Sequence, residues 1–214
     1  MKRNDSGMLI AVEGIDGAGK TTQVGFIEQF LRSSGFAVVR SKEPTDGPWG
    51  QKIRKSASSG RMSLNDELQA FIEDRKEHVR QVILPALSRG EVVLLDRYFY
   101  STIAYQGARG SDVDELTEDM LRIAPEPDLV VLLDVAPDIG LQRIAHGRGE
   151  TPNAFENEET LRAVRAEFLQ LSKKHTNILT IDASRDIESV RVEVLKAISQ
   201  LIETHRLQPP LTRC

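Results

Sequence analysis

Gly14-Ile-Asp-Gly-Ala-Gly-Lys-Thr21 is the stretch of sequence that decides the fold of this chain. It reads G-x-x-x-x-G-K-T. The apolar run before it, Met8-Leu-Ile-Ala-Val-Glu13, has the composition of a buried parallel strand. Residues 21–31 after it carry apolar side chains at helical spacing. A strand, a glycine-rich loop and a helix in this order are typical of a loop that binds nucleotide phosphates.

The residue types of this loop suit a polyphosphate. Gly14, Gly17 and Gly19 let the backbone turn tightly and bring its N–H groups close to an anion. Lys20 can reach the β- and γ-phosphates, and the Thr21 hydroxyl can bind Mg²⁺. A chance match is the alternative, and the flanking strand and helix argue against it. We therefore predict nucleoside triphosphate binding by Gly14, Ile15, Asp16, Gly17, Ala18, Gly19, Lys20, Thr21 and Thr22.

Composition narrows the class of protein. The chain has 214 residues, which suits one domain, and 28 basic against 32 acidic residues give it a formal net charge of −4. This charge does not suggest a nucleic-acid or anionic membrane partner, and no apolar run approaches the length of a membrane span. Cys214 is the only cysteine, so no internal disulfide can form. We expect a cytoplasmic protein with small anionic substrates.

Short apolar strands alternate with helices along the chain. Strands are expected at residues 8–13, 36–40, 91–97, 128–134 and 177–182, and helices at 21–33, 49–59, 63–88, 98–108, 114–123, 137–145, 157–174 and 186–204. This order predicts an α/β chain with the P-loop NTPase fold, a five-stranded parallel sheet flanked by helices on both faces. We expect one domain over residues 1–214, with a mobile lid at about 143–156 and a frayed tail at 207–214.

Four acidic residues, Glu13, Glu43, Asp96 and Asp134, follow or end predicted strands. Ligands of parallel sheets bind beyond the carboxyl ends of the strands, so these carboxylates should surround one edge of the sheet. Asp96 is a candidate for holding Mg²⁺, and the neighbouring Arg97 can clamp a phosphate. A salt bridge at the strand end is the alternative interpretation of this pair.

Two predicted helices offer groups that could bind a nucleoside. If residues 99–108 are helical, Thr102, Tyr105 and Gln106 share a face suited to a sugar or a base. In the helix at 63–88, Phe71 could stack on a pyrimidine while Arg75 donates to its carbonyl oxygen. The alternatives are an amphipathic helix at 99–108 and plain core packing for Phe71. We expect His78 to lie on the helix surface.

Taken together, these motifs resemble the thymidylate (dTMP) kinase family over nearly the whole chain. The matching segments, in order, are Glu13–Thr22, Lys42-Glu43-Pro44 with Ile53-Arg54, Phe71…Asp74-Arg75, Asp96-Arg97-Tyr98…Ser101-Thr102…Tyr105-Gln106, and Asp128…Asp134…Gly140-Leu-Gln-Arg143. The resemblance implies direct transfer of a phosphoryl group from ATP to dTMP with Mg²⁺, usually by a homodimer. Other possibilities are transfer to a related or modified deoxynucleotide and a regulatory nucleotide-binding protein. The chain lacks the N-K-x-D motif of GTPase switches.

The resemblance also implies roles for single residues. Asp16 would act on the substrate side of the reaction, Arg54 and Arg97 would hold the acceptor phosphate, and Tyr105 would favour deoxyribose. The implied substrate-binding residues are Glu43, Pro44, Arg54, Phe71, Arg75, Arg97, Ser101, Thr102, Tyr105 and Gln106. The implied metal residues are Thr21 and Asp96, and Arg143 and Arg185 would join the ATP site. The implied catalytic residues are Asp16, Lys20, Arg97 and Arg148.

Two departures from the family pattern bear on mechanism. Residues 42–47 read K-E-P-T-D-G where many bacterial members read R-E-P-G-G-T, so the surroundings of the acceptor phosphate differ. Family members carry a catalytic arginine either inside the phosphate loop or in the lid. This chain has Gly17 in the loop, which places it with the second kind. We expect Arg148, between Gly147 and Gly149, to be that arginine, with Arg143 as the alternative.

Overall fold

The structure, a computed structural model, describes residues 7–148 and 157–205. In this part of the chain, five parallel strands form one sheet in the order β2-β3-β1-β4-β5. The strands are β1 (Met8–Glu13), β2 (Val38–Lys42), β3 (Val92–Asp96), β4 (Leu129–Asp134) and β5 (Ile178–Asp182). The predicted α/β fold with a five-stranded parallel sheet is confirmed.

Helices cover both faces of the sheet. Every residue of β1 is buried, and because side chains of a strand alternate between faces, neither face of the central strand meets solvent. The helices are α1 (Lys20–Ser33), α2 (Pro48–Ser59), α3 (Leu64–His78), α4 (Leu84–Ser88), α5 (Phe99–Gly107), α6 (Val113–Ile123), α7 (Pro137–Arg148), α8 (Glu158–Lys174) and α9 (Ile187–His205). Across residues 7–148 and 157–205, no helix has the length and apolar composition to cross a membrane.

The second strand begins two residues later than the sequence predicts. Phe36 is buried, which explains its strand-like appearance, but its N–H donates to the carbonyl of Leu31 and so belongs to the end of α1. Gly35 reverses the chain there with a φ of 85°. The paired strand runs from Val38 to Lys42, which brings Lys42 level with Asp96 at the end of β3 and Glu43 just beyond it.

The helix predicted at 63–88 is interrupted. A π-helical segment, Val79–Ile83, separates α3 from α4, and the N–H of Leu84 reaches back five residues to the carbonyl of Val79. Pro85 follows directly; it has no N–H and its ring crowds the preceding turn of an α-helix, so a wider turn accommodates it. The start of α3 is as expected, because the Ser63 side chain accepts from the N–H of Asp66.

Candidate active site

The phosphate-loop motif forms a tight turn between β1 and α1. Gly14, Gly17 and Gly19 have φ values of 141°, 79° and 93°, conformations that residues with a side chain rarely adopt. Gly19 is the last residue before α1, so the amino end of that helix points into the loop. Lys20 is buried and donates to the carbonyl of Ile15 at 2.8 Å. Burial lowers the pKa of the Lys20 amino group to about 8.

The loop also packs directly on the backbone of α7. A Cβ atom at Gly17 would lie 2.1 Å from the carbonyl oxygen of Gly140, and one at Gly140 would lie 2.7 Å from the carbonyl oxygen of Asp16. Real Cβ atoms do not approach backbone this closely. Position 17 is therefore closed to any side chain unless α7 moves away from the loop.

Thr21 and Asp96 meet across the mouth of the loop. The Thr21 hydroxyl donates to Asp96 Oδ2 at 2.6 Å, so the first turn of α1 and the end of β3 are in contact. Mg²⁺ prefers oxygen ligands and usually takes only one or two from a protein beside a phosphate, so this pair fits the ion. In the residues described, no group of three or more His, Cys, Asp or Glu side chains forms an alternative metal site.

Arg97 occupies the centre of the site in a strained backbone conformation. Its φ of 69° is unusual for a residue other than glycine. Its guanidinium donates to Asp16 Oδ1 at 2.6 Å and to the carbonyl of Gly14 and the hydroxyl of Ser101, both at 3.0 Å. The ring of Tyr105 lies beside it, 5.4 Å from centroid to Cζ. These contacts fix the guanidinium between the phosphate loop and α5.

Asp16 is ionised in this arrangement. Its Oδ2 accepts from the Tyr105 hydroxyl at 2.9 Å, and its Oδ1 is paired with Arg97. Burial alone would raise the pKa of the Asp16 carboxyl, but the charges of Arg97 and Lys20 outweigh it and hold that pKa well below its usual range. Asp16 can therefore act as an acceptor or a counter-charge, but not as a general acid at neutral pH.

Glu13 anchors the beginning of α5. Its carboxylate accepts from the backbone N–H of Tyr98 at 2.8 Å and from the hydroxyl of Ser101 at 2.5 Å. Burial raises the pKa of Glu13 to about 7, although these hydrogen bonds oppose the shift. Glu13 thus holds Ser101 in place rather than facing a ligand, and it does not line the cleft.

A buried network surrounds Arg75. Its Nε and Nη2 donate to Glu43 Oε2 at 3.0 and 2.5 Å, and Nη2 also donates to the Thr102 hydroxyl at 3.0 Å. His78 contacts Glu43 Oε1 through Nδ1 at 2.9 Å and the Ser41 hydroxyl through Nε2 at 2.8 Å. The prediction of a surface position for His78 is wrong, because α3 turns this side chain inward against β2 and Glu43.

The loop at residues 42–47, which departs from the family pattern, is held by hydrogen bonds and ion pairs of Thr45 and Asp46. Thr45 donates to Asp74 through both its N–H, at 2.8 Å, and its hydroxyl, at 2.6 Å. Asp46 is exposed and lies 3.2 Å from Lys42 Nζ and 3.1 Å from Arg54 Nη2. A threonine and an aspartate at these positions therefore fix the loop to α3 and place a negative charge beside two cations.

A single cleft of about 790 Å³ joins these parts. It is lined by most of the predicted site residues, namely Asp16, Gly17, Ala18, Gly19, Lys20, Thr21, Thr22, Glu43, Pro44, Arg54, Phe71, Arg75, Asp96, Arg97, Ser101, Thr102, Tyr105, Arg143 and Arg185. Sequence reasoning missed the apolar lining Ile53, Ala57, Ile187 and Val190. The spacing of Ile53 and Ala57, one helical turn apart beside Arg54, is a signal that could have revealed the first pair.

Four predicted residues are not placed on the cleft. Gly14 and Ile15 shape the loop from behind, with Ile15 in the core. Gln106 is fully buried and donates to Glu67 Oε1 at 2.8 Å, so it links α5 to α3. Arg148 is the last residue of α7, but its side chain and residues 149–156 lie outside the described part of the chain. The predicted tail at 207–214 also lies outside it.

Two exposed arginines line the cleft. They are Arg143 on α7 and Arg185 after β5, and the apolar side chains Ala183, Ile187 and Val190 line it as well. Arg185 is paired with Glu193 and donates to the carbonyl of Asp182 at 3.1 Å. Cationic planes next to apolar side chains can hold the flat ring of a purine.

A family model and curated relatives of this chain carry the same description. A family model described as "Thymidylate kinase" matches residues 12–194 of the chain. Curated proteins named "Thymidylate kinase" are similar over most of its length. The protein from Xanthomonas campestris pv. campestris (strain B100) is 52% identical over 186 residues, which cover 86% of this chain and 79% of that protein. The protein from Xylella fastidiosa (strain M12) is 48% identical over 196 residues, covering 92% and 88%.

Proposed function

Because this chain belongs to the thymidylate kinase family, we propose that it transfers the γ-phosphoryl group of ATP to dTMP, forming ADP and dTDP. One observation carries this proposal: the phosphate loop lines the same cleft as the buried Arg75 and the aromatic Phe71, which lies one helical turn before it on α3. Formation of ADP that requires both ATP and dTMP tests it.

The donor side of the reaction uses the phosphate loop. The loop amides and Lys20 bind the β- and γ-phosphates, supported by the amino end of α1. Thr21 and Asp96 would hold Mg²⁺, which would neutralise charge on the phosphate oxygens. Arg143 and the apolar residues near Ile187 hold the adenine.

The acceptor side uses two arginines and Asp16. Arg97 and Arg54 hold the dTMP phosphate, and Asp16 keeps the Arg97 guanidinium oriented for it. Arg97 is already bonded to the loop that binds the donor, so one side chain contacts both halves of the site. Positioning of this kind supplies most of the rate enhancement in direct phosphoryl transfer.

The lid supplies the cation that stabilises the transferred phosphoryl group. Position 17, where some family members carry an arginine, is closed here by the carbonyl of Gly140. We assign the role to Arg148, which ends the helix whose beginning rests on the phosphate loop. Closure of the lid at about residues 143–156 would bring this charge to the γ-phosphate and exclude water.

The proposed function also bears on the domain organisation, the oligomeric state and the partners of the protein. We propose a single domain over residues 1–214 that works as a homodimer in the cytoplasm, without nucleic acid or membrane partners. The family supports the dimer, and the formal charge of −4 supports the absence of a nucleic-acid partner.

Phe71→Ala should raise the KM for dTMP about tenfold, because a stacked base loses its aromatic partner. Phe71 is half-buried on α3 and lines the cleft, so the ring is available to a ligand. Steady-state kinetics with each substrate varied in turn would measure the effect, and the KM for ATP should not change. An unchanged KM for dTMP would show that Phe71 packs in the core and does not stack on the base.

A further inference from the structure

Glu43 holds three hydrogen bonds that tie the wall of the cleft to the residues behind it. Its Oε2 accepts twice from Arg75, and its Oε1 is in contact with His78 Nδ1. Glu43 is ionised, since the charge of Arg75 outweighs burial and keeps the carboxyl pKa below its usual value. An ionised carboxylate only accepts hydrogen bonds, so His78 Nδ1 carries the proton and donates.

The other ring nitrogen of His78 extends this series of hydrogen bonds to Ser41. Its Nε2 lies 2.8 Å from the Ser41 hydroxyl on β2, which can donate to a neutral ring or accept from a charged one. Ser41, His78, Glu43 and Arg75 therefore form one continuous path from the sheet to the cleft. All but Ser41 are almost completely buried, and partners in such networks orient each other strongly.

Arg75 has little freedom left in this arrangement. Of its five N–H donors, two go to Glu43, one to the Thr102 hydroxyl and one to Met120 Sδ at 3.0 Å. The Tyr98 ring lies over the guanidinium, 5.6 Å from centroid to Cζ. Among the residues that the structure describes, this count leaves one Nη1 hydrogen without a partner, and Arg75 belongs to the wall of the cleft.

We propose that His78 is a positioning residue for the acceptor base: it fixes the Glu43 carboxylate, which aims the remaining N–H of Arg75 at the 4-carbonyl oxygen of thymine. This inference rests on the proposed function and adds a determinant of base choice. Cytosine carries an amino group at that position and cannot accept the hydrogen bond. His78 itself does not touch the substrate, because it does not line the cleft.

The variant pair His78→Asn and His78→Gln separates this role from simple packing. The amide nitrogen of asparagine takes the place of Nδ1 and can still donate to Glu43, whereas that of glutamine takes the place of Nε2 and reaches only Ser41. We expect His78→Gln to raise the KM for dTMP about tenfold, with kcat and the KM for ATP nearly unchanged. We expect His78→Asn to stay within about twofold of the wild-type protein.

A second readout measures base choice directly. Dissociation constants of dTMP and dCMP, obtained by isothermal titration calorimetry, should show the preference for dTMP reduced about tenfold in His78→Gln and retained in His78→Asn. Equal behaviour of the two variants, or an unchanged preference in both, would overturn the proposal. Should His78→Gln fail to fold, Ser41→Ala replaces it: a two- to threefold rise in the KM for dTMP supports the proposal, and an unchanged KM overturns it.

The wild-type protein in the same assays keeps the two proposals apart. If it forms no ADP with dTMP, the proposed function fails. If it does, and the variants behave alike, only the role of His78 fails.

Discussion

Arg148→Ala should lower kcat for dTDP formation by about a thousandfold while changing the KM for dTMP by less than about threefold. A cation that meets the phosphoryl group only during transfer stabilises the transition state rather than the bound substrate. Position 17 of the phosphate loop cannot provide this cation, since a side chain there would overlap the carbonyl of Gly140. Steady-state and single-turnover kinetics of the variant would measure the loss.

Arg143→Ala is the matched control for this prediction. Arg143 lies on the same helix and lines the cleft, where we propose that it holds the adenine of ATP. Its loss should raise the KM for ATP and reduce kcat by less than about tenfold. If Arg148→Ala turns over near the wild-type rate and Arg143→Ala does not, the catalytic cation is Arg143.

Arg97→Ala is expected to lower kcat/KM for dTMP by about a thousandfold, from two causes that act together. The acceptor phosphate loses a charged donor, and Asp16 is left as a largely buried carboxylate without its partner. The pKa of Asp16 should rise as a result, because Arg97 is the largest of the effects that lower it. Kinetics with dTMP varied, together with a thermal melt to confirm folding, would measure the effect.

Arg97→Lys distinguishes charge from geometry at the same position. Lysine keeps the positive charge but not the planar fork that now reaches Asp16, Gly14 and Ser101 at once. It should recover only part of the lost activity. Full activity in Arg97→Lys would show that charge alone suffices, and full activity in Arg97→Ala would remove Arg97 from the acceptor site.

The phosphate loop could be located from sequence because its determinants are local. Glycines, a lysine and a threonine at fixed spacing between an apolar strand and a helix leave few other conformations. The presence of five parallel strands followed from the alternation of apolar runs and helices, whereas their order in the sheet was not predicted. The predicted bounds of β2 were two residues too early, since buried Phe36 looks like a strand residue but closes the end of α1.

Other features depend on contacts between distant parts of the chain. His78 was placed on the surface by its helix pattern, yet its partner Glu43 stands 35 residues earlier and reaches it only in the folded sheet. Gln106 shares a predicted helix face with Thr102. Its side chain, however, donates a hydrogen bond to Glu67, which stands 39 residues earlier, and does not line the cleft. The left-handed backbone of Arg97 has no signal in its residue type, because it is imposed by the contacts around it.

The measurement that tests the central claim most directly is ADP formation from ATP and Mg²⁺ with a panel of acceptors. The panel holds dTMP, dUMP, dCMP, dGMP, the ribose form of TMP and a sample without acceptor. We predict the highest kcat/KM with dTMP and a background rate without acceptor. The pocket of Phe71, Arg75 and Tyr105 would account for that preference. A preference for another nucleotide would contradict the thymine assignment, and ADP formation that no acceptor increases would contradict the kinase itself.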